Sequence, residues 1–420
     1  MKSAPGPRGA FLLGSLPAAR RDPLKMITDA VRDHGDVVRL TFGPTAVHLV
    51  RHPDQMKAVL QDPAVFSKQT RGFDNIRLLI PGGLLTSEGA FWLQQRRIAQ
   101  PAFHKQRIAG FMTTMARAAE ATVDGWRDGA EIDLFEEMMR LTLRNVGETL
   151  LGVDARSHAE TVAAAFDEVL RFIRDRALAP VPIPASWPTP ANRRFRRARA
   201  ELDAVVYGLI AQRRATPGED LLSLLLEARD EDTGTSMSDL QLHDEVLTMF
   251  LAGHETTATA LAWTLWLVAR APQVREQLEA GPEGAFSRQV VDEALRLYPP
   301  VWMIPRRAEI ETGLGGYRIP SRSLVLLSIY ALHRHPQLWE RPDQFDPSRF
   351  RTPPPRWSYL PFGGGPHQCI GNAFALAELQ LVLAAVTRRF RLEALDDGVE
   401  PQPLVTLRPR GGIRVRLHKR

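Results

Sequence analysis

A chain of 420 residues carries a single cysteine, Cys369. It lies in the run Phe362-Gly363-Gly364-Gly365-Pro366-His367-Gln368-Cys369-Ile370-Gly371, directly ahead of the helix-like stretch Asn372-Ala373-Phe374-Ala375-Leu376-Ala377-Glu378. A lone free cysteine ordinarily serves as a small buried hydrophobe. Three successive glycines argue otherwise here. They permit a tight bulge with positive φ and let a flat group approach the backbone, whereas a core strand gains nothing from them. A thiol at the start of a helix also meets unpaired N–H groups and the positive end of the dipole, which favour the thiolate and tune whatever it ligates. One soft anionic ligand is too few for a protein-bound zinc ion or iron–sulfur cluster, which draw on several protein side chains. Haem brings four nitrogens of its own and needs one more ligand.

A second group of chemical residues lies mid-chain. Ser238-Asp239-Leu240-Gln241 has the form of a capping box, and the helical period it opens runs to about Ala269. The middle of that helix reads Ala252-Gly253-His254-Glu255-Thr256-Thr257, a polar break between apolar Val246-Leu247-Thr248-Met249-Phe250-Leu251 and Ala258-Thr259-Ala260-Leu261-Ala262-Trp263. Two readings stand side by side. In one, Thr256 bonds back to the Ala252 carbonyl and Glu255 finds a salt bridge. In the other, the polar groups serve a function, with Gly253 removing a side chain beside the helix and His254 acting as a spacer. Further on, Glu293 and Arg296 share a helix face at i and i+3, and Tyr298-Pro299-Pro300 ends that helix. Alone, such a pair on a surface contributes only a few tenths of a kcal/mol.

These residues need a scaffold, and the periodicity supplies a mostly helical one, as in Phe111 to Trp126, Asp133 to Leu151 and His158 to Arg176. Val37-Val38-Arg39-Leu40-Thr41-Phe42 and Ala46-Val47-His48-Leu49-Val50 predict a β-hairpin. The proline-rich Ala179-Pro180-Val181-Pro182-Ile183-Pro184 to Pro188-Thr189-Pro190 breaks the helices and predicts a long surface connection. No repeat, low-complexity tract or hinge divides the chain, although its length alone would suggest more than one domain. A hydrophobic content of 44% supports a sizeable core. A single cysteine rules out internal disulfides and suits a reducing cytoplasm. Nothing has the form of a signal peptide or an eighteen-residue apolar span, so a soluble protein is expected. The net charge of +6 invites a nucleic-acid reading through Arg193-Arg194-Phe195-Arg196-Arg197-Ala198-Arg199. No recognition motif accompanies those arginines, and they read as a solvated helix face.

The decamer around Cys369 resembles the cysteine-ligand loop of the cytochrome P450 family: Phe, two residues, Gly, one residue, Arg or His, one residue, Cys, one residue, Gly. Every fixed position matches, and the likeness runs from about Pro5 to the C-terminus. It implies a single mainly α-helical domain over residues 1–420 with a minor β region. The resemblance places haem b, iron protoporphyrin IX, between the long central helix and the Cys369 loop. Phe362, Gly363, His367 and Gly371 then belong to the ligand loop, and Ala252 and Gly253 to the helix facing the haem. Glu255 and Thr256 match the family's proton-delivering pair. Trp92, Arg96, Arg306 and His367 follow the order of its haem-carboxylate binders, with spacing to Ala308 preferring Arg306 over Arg307. Phe345-Asp346-Pro347-Ser348-Arg349-Phe350 matches the segment that brings a second arginine, Arg349, onto Glu293, making Glu293, Arg296 and Arg349 a buried charge network. The proline-rich segment near residue 184 corresponds to the lid over the substrate pocket. Ala4-Pro5-Gly6-Pro7-Arg8-Gly9 looks like the hinge that follows the membrane anchor of microsomal relatives, with the anchor itself missing.

The implied activity is that of an oxygen-inserting monooxygenase acting on an apolar molecule. Fatty acids, terpenoids, steroid-like and polyketide-like molecules all remain possible. Candidate pocket segments are Phe73 to Leu85, the region of Phe172, Met249 with Ala252, Val301 to Ile304, and Val405-Thr406-Leu407. No flavin or iron–sulfur motif is present, so electrons are expected from a ferredoxin or flavodoxin served by an NAD(P)H-dependent reductase. Arg96, Arg97, Lys105 and Arg107 form a candidate basic face for that partner. Two alternatives stand beside this reading: a peroxide-driven peroxygenase, which typically lacks the acid–alcohol pair, and a non-enzymatic haem sensor or electron carrier.

Overall fold

The computed structural model describes residues 1–420 except 44, 151, 153–158, 179–182, 282 and 397. Leu151 and His158, which bound two of the expected helices, and Ala179 to Pro182 of the proline-rich connection therefore lie outside the described residues. The chain divides into two units, each assembled from separated stretches. The first takes Met1–Thr70, Gly284–Cys369 and Glu400–Arg410, and the second takes Arg71–Glu283, Ile370–Val399 and Gly411–Arg420.

The first unit holds most of the β-structure. Val37–Phe42 and Thr45–Val50 form the expected hairpin, with Val37 opposite Val50. The second of these strands pairs in parallel with Leu324–Ser328, which pairs antiparallel with Met303–Ala308. Apolar residues alternate along the strands, so the two faces of the sheet bury different partners. Val38, Leu40, Val47 and Leu49 pack with Ile27 and Val31 of the helix Pro23–His34. Val325, Leu327 and Ala308 pack with Met56, Val59 and Leu60 of the helix Pro53–Gln61. That second cluster also takes in Leu360 and half-buried Trp357, so sheet packing fixes the base of the loop that carries Cys369.

The second unit is helical. Helices at Lys105–Asp124, Leu134–Leu150 and Ala159–Leu178 answer the three expected from the periodicity. The first starts earlier than the apolar pattern suggests, because its opening residues Lys105, Gln106 and Arg107 are all exposed and carry no period. The arginine run falls in the helix Pro190–Ala215, where Arg193, Arg194, Arg196 and Arg197 face solvent while Phe195 and Ala198 are buried. It is the solvated face the sequence predicts.

The central helix runs Asp239–Ala269, 31 residues, and opens on the predicted capping box. Gln241 N donates to Ser238 Oγ at 3.3 Å, and Ser238 N donates to Gln241 Oε1 at 2.6 Å. A helix buried on all sides must be apolar nearly all round. Accordingly Leu247, Leu261, Trp263 and Leu265 have no exposure at all. Its main packing partner is the helix Leu134–Leu150, and the C-terminal helix Asn372–Arg389 packs on both Lys105–Asp124 and the central helix. Among the described residues no helix is long and apolar enough to cross a membrane.

Candidate active site

The glycines of the Cys369 loop adopt the conformations for which the sequence singled them out. Gly363 and Gly365 have φ of 68° and 70°, in the left-handed region. A Cβ on Gly365 would lie 2.1 Å from the Leu60 carbonyl oxygen, and one on Gly364 would lie 2.7 Å from Cζ3 of Trp357. The loop closes on its own backbone: Cys369 N donates to Phe362 O at 3.0 Å, Gln368 N to Gly365 O at 3.1 Å, and Gly363 N to Leu360 O at 3.0 Å. Phe362, Gly363 and His367 are half-buried, and Cys369 is exposed. The following helix is capped by Gly371 and begins at Asn372, so Cys369 sits two positions ahead of the cap.

Upstream, the charge network takes the form expected from the sequence. Arg296 grips Glu293 with two parallel bonds, Nε to Oε2 at 2.7 Å and Nη2 to Oε1 at 2.9 Å, and both residues are fully buried. The remaining Arg296 donors reach the carbonyls of His333, Pro342 and Gln344 at 2.8, 2.7 and 3.2 Å. Arg349 Nε stands 3.3 Å from Glu293 Oε1, which also accepts from Asp346 N at 2.9 Å. Every strong donor of Arg296 is thus used, and removing Glu293 would strand the buried Arg296 charge at a cost of about 3–5 kcal/mol.

The sequence reading missed His333. Its Nε2 accepts from Leu360 N at 2.9 Å, so Nδ1 carries the proton and donates to Arg296 O at 3.2 Å. Burial, with Arg296 nearby, pushes this ring down to about 3, so it is neutral in the folded chain. His333 therefore joins the Arg296 network to Leu360, whose carbonyl in turn holds Gly363. A histidine inside Leu332-His333-Arg334-His335 carries no spacing signal that could have revealed this role.

In the second unit the polar break of the central helix stays fully helical. Thr256 Oγ1 donates to the Ala252 carbonyl, the local bond that the sequence reading left open. This bond is compatible with the second reading, since a hydroxyl that donates within its own helix keeps its acceptor lone pairs. His254 and Glu255 are buried, Gly253 and Thr256 half-buried, and Ala252 exposed. A Cβ on Gly253 would meet Val146 Cγ2 at 3.4 Å, so the glycine also lets the helix Leu134–Leu150 approach closely. Trp92 and Arg96 share a face of the helix Gly89–Ala99, Trp92 buried and Arg96 half-buried.

Back in the first unit, Arg306 is buried, with Nη1 donating to Pro305 O at 2.9 Å. Its neighbour Arg307 pairs with Glu309 at 3.0 Å, so the charge of Arg307 is already taken.

The basic face needs one correction. Arg97 is held by Asp230 at 3.0 Å and Asp232 at 2.5 Å, and its charge is spent inside the protein. Lys105 and Arg107 are exposed as expected. The candidate pocket segments gather within each unit. Leu79, Ile80, Leu84 and Phe172 are buried in one cluster with half-buried Met249 packed against it. In the first unit Leu407 N donates to Pro300 O at 2.9 Å and Trp302 Nε1 to Leu404 O at 3.0 Å, which joins the 301–304 and 405–407 segments.

The donor set fits haem. Among the described residues no group of three or more His, Cys, Asp or Glu side chains could hold a bare metal ion. A single exposed thiol on a glycine loop too tight for a side chain at Gly364 or Gly365 suits a metal that arrives with its other ligands.

The profile of the family described as Cytochrome P450 matches residues 4–281 and 285–415. Among curated proteins, the chain is 37% identical over 425 residues to cyclooctatin synthase of Streptomyces melanosporofaciens, covering 96% of this chain and 92% of that protein. It is 36% identical to cyclooctat-9-en-7-ol 5-monooxygenase of the same organism, covering 93% and 89%. Pentalenene oxygenase of Streptomyces avermitilis is 32% identical, with 98% of each chain covered.

Proposed function

The chain belongs to the cytochrome P450 family, and on that premise we propose that it oxygenates a terpenoid of largely apolar skeleton, with haem b on Cys369 and electrons from a separate ferredoxin. It is a haem-thiolate monooxygenase, using dioxygen, an apolar substrate and redox partners. The single observation that carries the site assignment is the exposed thiol of Cys369 on its glycine loop. When bound, haem supplies dioxygen activation, and an anionic thiolate ligand favours O–O cleavage.

The chain's own residues do the rest. Trp92, Arg96, Arg306 and His367 hold the haem carboxylates, and Arg307 is the weaker choice because Glu309 neutralises it. Hydroxylation consumes one dioxygen, two electrons and two protons for each oxygen inserted, the second oxygen leaving as water. The protons pass through Glu255 and Thr256, whose hydroxyl donates to Ala252 and offers its lone pairs to a water. The apolar cluster around Leu79, Leu84, Phe172 and Met249 excludes bulk water. Lys105 and Arg107 meet an acidic ferredoxin.

The terpenoid class rests on the three relatives, whose names specify an alkene or an alkenol as the molecule oxygenated or carry the cyclooctatin skeleton. Residues 1–420 act as one domain in the reducing cytoplasm, a reading supported by a family match that runs through both units. A screen of cyclic terpene hydrocarbons, their mono-alcohols, fatty acids and steroids for a low-to-high-spin shift tests the substrate class. Turnover with NADPH, ferredoxin and reductase should then give an alcohol from a terpenoid ligand. Shifts confined to fatty acids or steroids would overturn the class, and equal product from peroxide alone would favour a peroxygenase.

A further inference from the structure

The C-terminal helix buries a carboxyl group that the proton-delivery reading does not use. Glu378 has no exposure, and among the described residues its carboxyl has one hydrogen-bond partner, Asn145 Nδ2, which donates to Oε1 at 2.7 Å. Two further atoms of the same pair, Glu378 Oε2 and Asn145 Oδ1, are buried with no partner among the described residues. Both are acceptors if Glu378 is ionised. Turning the amide over does not help a carboxylate, since it would set Oδ1 against Oε1. One proton on the carboxyl would turn Oε2 into a donor and offer Asn145 Oδ1 the partner it lacks.

We propose that Glu378 is a neutral carboxylic acid that donates from Oε2 to Asn145 Oδ1, and that this acid–amide pair is a positioning element for the haem site. Asn145 precedes Val146, the residue against Gly253 of the central helix, and Glu378 lies on the helix that starts three residues after Cys369. The pair therefore ties the helix backing the Glu255–Thr256 segment to the helix that continues from the ligand loop. That positioning role rests on the proposed function; the protonation of Glu378 does not.

The surroundings agree with a neutral group. Burial pushes Glu378 up to about 8, and the Asn145 bond opposes this only in part. Charged residues on the elements packed against its helix act elsewhere: Arg117 and Arg144 pair with Glu148 at 3.1 and 3.4 Å, and Arg275 with Glu279 at 3.6 Å. None of them, nor Glu255, acts on the Glu378 carboxyl.

The test compares haem-loaded wild-type protein with Glu378→Gln, which keeps one acceptor and one donor, and with Glu378→Met, which keeps neither. A group raised from 4.5 to about 8 in the folded state contributes stability that is complete below 4.5 and is lost as pH rises to about 8. The denaturation midpoint of wild type should therefore fall relative to both variants across that range and run parallel above it. Infrared difference spectra at pH 6.5 should show a protonated carboxyl band in wild type that Glu378→Gln lacks. Above pH 8 the thiolate-type CO absorption should decay sooner in wild type than in Glu378→Gln. A midpoint gap that stays constant across the range, or a missing carboxyl band, overturns the protonation. Equal CO decay overturns the positioning role, and neither result depends on finding the substrate.

Discussion

The backbone N–H of Leu360 donates to Nε2 of His333 at 2.9 Å, and this one contact decides on which nitrogen a buried ring keeps its proton. From there the connection runs one way to Arg296 and the other, through the Leu360 carbonyl, to Gly363 in the ligand loop. A histidine used like this must stay neutral. Because the ring is pushed down to about 3, the folded chain refuses a proton that the unfolded chain takes up below about 6.5. Stability should fall as pH drops from 6.5 towards 3, by roughly 1.4 kcal/mol per unit for this group. His333→Gln should remove one proton's worth of that slope in denaturation curves measured from pH 4 to 7. An unchanged slope would show that the ring does not titrate on unfolding as argued.

Replacing the ligand itself separates the metal site from the scaffold. Cys369→Ser should fold, since Cys369 is exposed and its backbone N–H still reaches Phe362 O, but should lose the reduced CO absorption typical of thiolate ligation and all hydroxylation. A thiolate-type spectrum in this variant would falsify the assignment.

Thr256→Ala deletes the hydroxyl that bonds to Ala252 while leaving the helix apolar contacts in place. Substrate should bind with the usual spin shift and NADPH should still be consumed, yet product per NADPH should drop at least ~tenfold as peroxide escapes. Fully coupled turnover would leave the Ala252 bond as the whole role of this threonine.

Arg97 and Lys105 should behave differently when reversed. Lys105→Glu should raise the apparent KM for ferredoxin without altering the haem spectrum, and ferredoxin reduction should slow with salt, because exposed charges beyond about 8 Å are screened at ~0.15 M. Arg97→Glu should instead lower stability, since Asp230 is buried and would face a like charge. Equal stability for the two variants would remove the ion pair from the account.

Much of this site was legible in sequence because its parts are local. The capping box, the glycine run and the i, i+3 Glu293–Arg296 pair each lie within one turn or loop, where spacing maps directly onto geometry. The hairpin is legible for the same reason, because its two β-like runs follow one another directly. His333, the Glu378–Asn145 pair and the capture of Arg97 by Asp230 depend on residues 27, 233 and 133 positions apart, and no period or motif encodes such meetings. The helix at Lys105 shows the same limit on a smaller scale, for an exposed first turn leaves no apolar trace.

The approach of Gly365 to the Leu60 carbonyl also divides the ligand loop for anyone who would re-engineer it. A saturation library across residues 363–368 should be almost barren at Gly364 and Gly365, where even a methyl collides with a backbone oxygen or an indole ring. Pro366 and Gln368 are exposed on either side of His367, so diversity placed there can alter the electrostatic surroundings of the sulfur while the chain keeps its path. The rigid half of the loop sets where the ligand stands, and the permissive half is where its reduction potential can be tuned.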